Sequence, residues 1–188
     1  MSKQALRKQA LEARTALTDS DFQIRSQQIA DNFFKSTDLS KVKVIHTFLP
    51  VLSRKEPNTW LIINEIRNTH PAIRISIPKI SGTALKNYFF EGANQLEVNS
   101  FGISEPKQGV ETADQEIDLV LVPLLAADLK GNRIGYGKGF YDRFLTDCRK
   151  DCIKCGLSLF EPIDHIPAEA HDIQLNQLIT PHGIISFR

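Results

Sequence analysis

The apolar stretch "IDLVLVP", residues 117–123, constrains the fold of this 188-residue chain more than any other segment. It is short, almost continuously apolar and rich in the β-branched residues valine and isoleucine. A strand of that composition has both faces covered, as in the middle of a parallel sheet with helices on either side. The sequence therefore predicts an α/β fold in which this stretch is a central strand.

Further strands and helices are predicted before and after it. Strands are expected at residues 41–50, 73–78, 85–91, 153–159 and 177–187, the last as one or two short edge strands. A helix over residues 57–68 completes a βαβ unit, whereas residues 92–116 are turn-rich and read as irregular. Because 188 residues is a usual size for one domain, we expect a single three-layer α/β/α domain over residues 1–188 with a mostly parallel, Rossmann-like sheet.

Two amphipathic helices are predicted ahead of the first strand. The second helix begins after Thr18, which forms a capping-box pattern with Asp21, and continues to about Lys35. The first helix follows Ser2 as its cap and has apolar side chains along one face at Leu6, Ala10, Ala13 and Leu17.

The first helix also carries a basic stripe. Lys3, Arg7 and Arg14 lie within about 40° of one another on a helical wheel drawn at 100° per residue. Taken alone, such a stripe is typical of a solvated helix face.

Overall charge excludes broad classes of partner. The chain has 23 lysines and arginines against 22 aspartates and glutamates, so no general field attracts it to nucleic acid or to a membrane surface. The N-terminal residues lack the apolar core of a secretory signal, and no run is long and apolar enough to span a bilayer. We expect a cytoplasmic protein with no nucleic-acid or membrane partner, in which any anion site is local.

Three cysteines, Cys148, Cys152 and Cys155, are spaced as C-x3-C-x2-C. A closed zinc site needs four ligands, and an iron–sulfur cluster usually needs a fourth cysteine. We therefore expect reduced, buried thiols.

The stretch "GNRIGYGKGFYDRF", residues 131–144, joins the central strand to a helix predicted from about Gly139 to Cys148. Ligands of open α/β sheets gather at the carboxyl ends of strands, where this connection lies. Its glycines can turn N–H groups toward an anion, and Arg133 and Lys138 add positive charge. A solvated glycine-rich turn is the alternative. Asp142 either stabilises the helix N-terminus or holds a metal.

Two familiar phosphate-binding patterns do not fit this loop. Gly131 precedes Gly137 by six places rather than five, and Lys138 is followed by glycine rather than by serine or threonine, which excludes a P-loop. The dinucleotide pattern counted from Gly135 requires glycine at position 140, which is Phe140.

Residues 131–145, "GNRIGYGKGFYDRFL", resemble the signature of the 5-formyltetrahydrofolate cyclo-ligase family, also called methenyltetrahydrofolate synthetase. Other family landmarks occur in order: "KQALR" (3–7), "EPNT" (56–59), "FGISEP" (101–106), "VPLLAAD" (122–128) and "IPAEAHD" (166–172). The resemblance covers most of the chain. It implies a single α/β domain that uses ATP and Mg²⁺ to convert 5-formyltetrahydrofolate to 5,10-methenyltetrahydrofolate, releasing ADP and phosphate.

The resemblance also implies site residues. The implied ATP contacts are Lys3, Gln4, Ala5, Leu6, Arg7, Arg133, Ile134, Gly135, Tyr136, Gly137, Lys138, Gly139, Phe140 and Tyr141. The implied folate contacts are Val51, Glu56, Tyr136, Gly137, Lys138, Gly139 and Phe140, and the implied magnesium ligands are Asp142 and Asp172. Lys138, assisted by Arg133, is expected to stabilise the transferred phosphoryl group.

The roles of two residues and the choice between competing functions remain open at the level of the sequence. Tyr141 either packs in the core or lies beside the reacting formyl group, and His171 is either structural or a neighbour of the metal site. We expect a monomer that binds 5-formyltetrahydrofolate and ATP. The competing hypotheses are an ATP- or phosphosugar-binding α/β protein of another activity, such as a kinase or an isomerase, and a noncatalytic folate-binding module.

Overall fold

The computed structural model describes residues 1–99, 102–169 and 171–187. Its α-helices are α1 (Lys3–Ala16), α2 (Asp19–Ser36), α3 (Trp60–Thr69) and α4 (Phe140–Asp147). Its strands are β1 (Val44–Thr47), β2 (Arg74–Ser81), β3 (Ala84–Phe89), β4 (Leu96–Val98), β5 (Ser104–Pro106), β6 (Leu119–Val122), β7 (Ala126–Ala127), β8 (Arg133–Ile134), β9 (Ile153–Leu157), β10 (Gln177–Thr180) and β11 (Gly183–Ser186).

Seven strands form one sheet in the order β11-β10-β9-β6-β1-β2-β3. The five inner strands are parallel, and the edge strands β3 and β11 are antiparallel to their neighbours. The predicted α/β fold with a mostly parallel sheet is therefore confirmed. The chain order reverses between β1 and β6, which is the position where open α/β sheets form ligand crevices.

Both faces of the sheet are covered, because β6 alternates its side chains between two apolar clusters. Leu119 and Leu121 pack with α2 and α3, whereas Val120 and Val122 pack with α4. All four side chains are fully buried. The prediction of a central strand at this stretch is confirmed, as is the burial of the three cysteines as free thiols.

Two short antiparallel pairs were not predicted. β4 pairs with β5 inside the segment that was expected to be irregular, and β7, which follows β6, pairs with β8 inside the glycine-rich stretch 131–144. Strands of two or three residues are too short to show a recognisable alternation of apolar and polar side chains.

The N-terminal helices begin where the sequence predicts. Ser2 Oγ accepts a hydrogen bond from the Ala5 N–H at 3.3 Å, and Thr18 Oγ1 accepts one from the Asp21 N–H at 3.0 Å. The predicted buried face of α1 is partly wrong, since Ala13 is exposed and Arg14 is buried. Among the described helices, none combines the length and apolar character needed to cross a bilayer.

His46 on β1 is a fully buried titratable side chain. Asn87 Nδ2 donates to Asp114 Oδ1 at 2.8 Å, which leaves Asn87 Oδ1 to accept a hydrogen bond from His46 Nε2 at 3.0 Å. The imidazole also packs on the rings of Phe144 and Tyr141. Burial lowers the pKa of His46 from 6.5 to about 3, so the ring stays neutral in the folded protein.

This buried histidine makes stability depend on pH. Below its ordinary pKa of 6.5 the imidazole binds a proton in the unfolded chain but not in the folded one, so the stability present above that value decreases as the pH falls toward about 3. In the steepest part of this window the loss is about 1.4 kcal/mol per pH unit. Urea unfolding between pH 7 and pH 5 should show a shallower decrease for His46→Gln than for wild type. Identical slopes would contradict the assignment.

Candidate functional site

A cavity of about 900 Å³ opens at the reversal point of the sheet. Phe48 and Leu49, which follow β1, and Pro123, which follows β6, line its floor. The glycine-rich loop, the start of α1 and the segment before β10 form its walls. A cavity of this size is large enough for a substantial organic ligand.

The turn before the glycine-rich loop is built around the buried carboxylate of Asp128. Its oxygens accept hydrogen bonds from the N–H groups of Lys130, Asn132 and Ile166 and from the Asn132 side-chain amide, at 2.9 to 3.0 Å. Burial alone would raise the pKa of Asp128, but these hydrogen bonds outweigh it and lower that pKa. The carboxylate therefore stays charged and holds the turn.

Arg133 and Lys138, the two expected catalytic cations, have different surroundings. Arg133 Nη2 donates to Asp142 Oδ1 at 2.7 Å and its Nη1 donates to the Ile173 carbonyl, with only 6% of the side chain exposed. The exposed ammonium of Lys138 lines the cavity and has no ion-pair or hydrogen-bond partner among the described residues. Lys138 is therefore the cation that is available to a ligand.

The glycine-rich loop leaves room for its neighbours. Gly137 has a φ of 85°, a left-handed conformation that favours glycine, and a Cβ built there would lie 3.4 Å from the guanidinium of Arg7. Arg7 Nε donates to the Gly135 carbonyl at 3.1 Å. The side chain of Arg7 thus packs along the loop and reaches the cavity wall.

The start of α1 is tied to the segment before β10. Lys3 Nζ lies 2.6 Å from Asp172 Oδ2 and 3.3 Å from Glu169 Oε1. Partial burial alone would raise the pKa of Asp172, but the hydrogen bonds from Lys3 and from the Glu169 N–H outweigh it and lower that pKa. The basic stripe of α1 therefore faces the site instead of forming a purely solvated face.

Glu56 lies on the opposite side of the loop, with only 7% of its surface exposed. Its Oε2 accepts a hydrogen bond from the Val51 N–H at 2.8 Å, and its Oε1 accepts one from the Tyr136 hydroxyl. Burial and the nearby negative charge of Glu56 raise the pKa of Tyr136, so its hydroxyl remains a donor. Arg14 Nη2 in turn donates to the Tyr136 hydroxyl at 2.7 Å.

Tyr141 packs in the core and also borders the cavity, and its position beside the reacting formyl group stays a prediction. Its ring packs against Phe144 and His46 in the core, and the same residue lines the cavity. Its hydroxyl is buried and has no partner among the described residues, and burial raises its pKa.

With this geometry in place, comparison with known proteins decides the family. The chain matches the model of the 5-formyltetrahydrofolate cyclo-ligase family over residues 1–181. It belongs to that family. The resemblance inferred from the loop and the ordered landmarks is confirmed.

Individual members of the family are similar over different lengths. A probable 5-formyltetrahydrofolate cyclo-ligase from Schizosaccharomyces pombe is 33% identical over 59% of this chain and 63% of that protein. One from Mycoplasma pneumoniae is 31% identical over 95% of this chain and 98% of that protein. For three of the relatives, the match spans between 47% and 63% of the relative's own length.

The fold is also shared with a solved structure. An Aquifex aeolicus 5,10-methenyltetrahydrofolate synthetase has a TM-score of 0.86 and 28% identity, with 100% of this chain and 94% of that chain covered.

Most of the residues implied by the cyclo-ligase family resemblance lie on one cavity. The lining includes Lys3, Arg7, Val51, Glu56, Arg133, Gly135, Tyr136, Gly137, Lys138, Gly139, Phe140, Tyr141, Asp142 and Asp172. Four implied residues do not line it: Gln4 and Ala5 are exposed, and Leu6 and Ile134 pack in a small cluster beneath α1. Phe101 of the landmark "FGISEP" and Ala170 of the landmark "IPAEAHD" lie outside the described residues.

The two carboxylates expected to hold magnesium both reach the cavity and both are ion-paired. Asp142 Oδ1 accepts from Arg133 and, at 3.2 Å, from the Ile173 N–H. Asp172 belongs with Glu169 and His171 to a group whose potential ligand atoms lie within 4.8 Å of one another. Asp142 is not part of that group, so its joint action with Asp172 stays a prediction.

The sequence did not indicate several other residues of the wall. Pro78 and Ile80 on β2 and Leu85 on β3 add apolar surface, and Arg143 Nη2 donates to the Lys138 carbonyl at 2.9 Å. The strand residues lack any sequence signal, because an apolar side chain at a cavity looks the same as one in the core.

Gly131 is a glycine whose replacement should destabilise the fold. Its φ is 81°, and a Cβ would lie 2.9 Å from the Leu175 carbonyl oxygen and 3.0 Å from the Phe187 ring. We expect Gly131→Ala to lower the free energy of unfolding by about 2 kcal/mol through backbone strain and overpacking. Gly135→Ala, with open space around the new methyl group, should change it by less than about 0.5 kcal/mol. Urea titration of both variants makes the comparison, and equal losses would refute it.

Proposed function

We propose that this chain converts 5-formyltetrahydrofolate to 5,10-methenyltetrahydrofolate, using ATP and Mg²⁺ and releasing ADP and phosphate. The observation that carries the proposal is a single cavity that combines an unpaired cation beside a glycine-rich loop, Lys138, with a buried acceptor, Glu56. The printed names of the relatives as cyclo-ligases support the folate substrate.

Two features of the loop side favour the phosphates of ATP. α4 begins at Phe140, directly after the glycine-rich loop, so its free N–H groups and positive end lie at the cavity wall. Lys138 and Arg7 add full positive charges on the same wall. Backbone N–H groups together with cations are the usual environment of a bound phosphate.

The opposite side favours a reduced folate. A pterin ring presents neighbouring N–H donors, and a carboxylate accepts such a pair through charge-assisted hydrogen bonds. Glu56 uses one acceptor position on each oxygen within the protein, which leaves further lone pairs for a ligand. Pro78, Ile80 and Leu85 supply apolar surface for the flat ring.

The proposed reaction has two steps. The formyl oxygen attacks the γ-phosphorus of ATP and ADP departs, which converts a poor leaving group into a phosphate ester. The N10 nitrogen of the folate then attacks the activated carbon and closes the ring; the N10 proton and inorganic phosphate leave, which breaks the carbon–oxygen bond and gives the methenyl product. Phosphoryl transfer depends mainly on positioning and on positive charge near the moving oxygens, so Lys138 acts directly, with Arg133 assisting from its pair with Asp142.

Asp142 and Asp172 suit a magnesium ion. Asp142 Oδ2 and Asp172 Oδ1 accept no hydrogen bond from the described residues, although Asp172 Oδ1 lies 4.0 Å from His171 Nε2. Mg²⁺ needs only one or two carboxylates when phosphate oxygens and water complete its shell. Bound there, it would neutralise phosphate charge. We further propose that the enzyme works as a cytoplasmic monomer, with no nucleic-acid or membrane partner.

An absorbance assay tests the function. Purified protein mixed with 5-formyltetrahydrofolate, ATP and Mg²⁺ should develop the near-ultraviolet absorbance of the methenyl product, with one ADP released per product. Omitting ATP or chelating Mg²⁺ should abolish the signal. No product at any Mg²⁺ concentration would overturn the proposal. A noncatalytic folate-binding module would retain the folate without consuming ATP, and a kinase-like relative would consume ATP without forming product.

Lys138→Ala should lower kcat by about two to three powers of ten, as for the loss of one donor that stabilises the transition state. Lys150→Ala removes an exposed lysine beyond the opposite end of α4 and serves as the matched control. Both are measured in the absorbance assay at saturating substrates. Unchanged turnover for Lys138→Ala would remove this residue from the mechanism.

A further inference from the structure

Arg14 is a buried cation that the mechanism above does not use. It lies near the end of α1 with 4% of its surface exposed, and it does not line the cavity. Only its Nη2 has a hydrogen-bond partner among the described residues, whereas Nε and Nη1 have none. Burying a guanidinium with two unpaired nitrogens is unfavourable. The one partner that Arg14 does have therefore indicates its role.

That partner is the hydroxyl of Tyr136, which links Arg14 to Glu56. Arg14 Nη2 donates to the hydroxyl oxygen at 2.7 Å, and the hydroxyl proton is donated to Glu56 Oε1. The Arg14 guanidinium also lies 5.5 Å from the centroid of the Tyr136 ring. The order cation, hydroxyl, carboxylate leaves the hydroxyl only one direction in which to donate.

We propose that Arg14 is a positioning residue for the folate side of the cavity. It orients the Tyr136 hydroxyl toward Glu56 and places a positive charge behind that hydrogen bond, so the carboxylate, 7% exposed, is held in one direction. This inference rests on the proposed function, since it assigns Glu56 to a reduced folate. It extends the site to a residue that touches neither substrate.

Tyr136 also makes Arg14 the second residue of α1 that holds the glycine-rich loop. It lies between Gly135 and Gly137, and Arg7 of the same helix donates to the Gly135 carbonyl. Arg7 therefore holds the loop through its backbone, and Arg14 holds it through the Tyr136 side chain. Losing Arg14 should disturb folate binding more than ATP binding, because only the side-chain link leads to Glu56.

Steady-state kinetics of three variants test the proposal. Arg14→Met and Tyr136→Phe should each raise the KM for 5-formyltetrahydrofolate by about ten-fold or more, the size expected when a hydrogen bond involving a charged group is lost. For Arg14→Met, whose side chain does not line the cavity, the KM for ATP and kcat should change less than about three-fold. Lys8→Met removes an exposed lysine of α1 whose one ion-pair partner among the described residues is Glu12 at 3.9 Å, and it should leave all three unchanged.

The double variant separates a shared role from two independent ones. Because Arg14 acts through Tyr136, combining Arg14→Met with Tyr136→Phe should weaken folate no more than the worse single change. Additive losses, or equal increases in both KM values together with a lower thermal midpoint, would show a merely structural arginine and overturn the proposal. If Arg14→Met does not fold, Arg14→Gln, which removes the charge but keeps a polar side chain, carries the same test.

Calorimetric binding of 5-formyltetrahydrofolate without ATP distinguishes the two proposals. Wild type that binds the folate but forms no product would refute the catalytic function and leave the role of Arg14 testable. Wild type that is active, with Arg14→Met binding the folate normally, would refute the role of Arg14 alone. Wild type that does not bind the folate would overturn both.

Discussion

The carboxylate of Asp128 is the interaction on which the arrangement of the site depends. It gathers the N–H groups of the 128–132 turn and also accepts from the Ile166 N–H. The turn leads into the glycine-rich loop, and the segment after Ile166 leads to Asp172. One buried carboxylate therefore fixes the starting points of two cavity walls, the glycine-rich loop and the segment that contains Asp172. The cost of desolvating this carboxylate is offset by the four hydrogen bonds that it accepts.

The first helix closes the site through polar contacts. Its basic residues bind three different partners: Lys3 pairs with Asp172, Arg7 with the Gly135 carbonyl and Arg14 with the Tyr136 hydroxyl. Leu6 is the apolar side chain that α1 buries most deeply. A helix docked mainly by charge-assisted hydrogen bonds holds the loop at defined points instead of by general apolar burial, and those points lie along one face because the spacing of the three residues follows the helical period.

The sequence predicted the elements that are long or strongly patterned. The β6 stretch, the capped helices and the βαβ unit all have enough residues to show a period, and the predicted fold follows from them. β7 and β8, with two residues each, do not. The sequence also showed that three basic residues share a face of α1, but a helical wheel does not reveal which face packs. The burial of Arg14 and the role of Asp128 depend on partners more than 30 residues away, at Tyr136 and Ile166.

The structure also separates residues that the sequence made equivalent. Arg133 and Lys138 are both cations in one loop, yet Arg133 is held by Asp142 and the Ile173 carbonyl, whereas Lys138 is unpaired among the described residues. A paired cation such as Arg133 orients its neighbours, whereas an unpaired one such as Lys138 is free to approach the negative charge of a ligand. Glu56 is the negative counterpart, held from the loop by Tyr136. Tyr136, which donates to Glu56, lies between Gly135 and Gly137 of the glycine-rich loop. A shift of this loop therefore also moves the hydrogen-bond partner of Glu56. For that reason the loop side and the Glu56 side of the cavity cannot adjust independently.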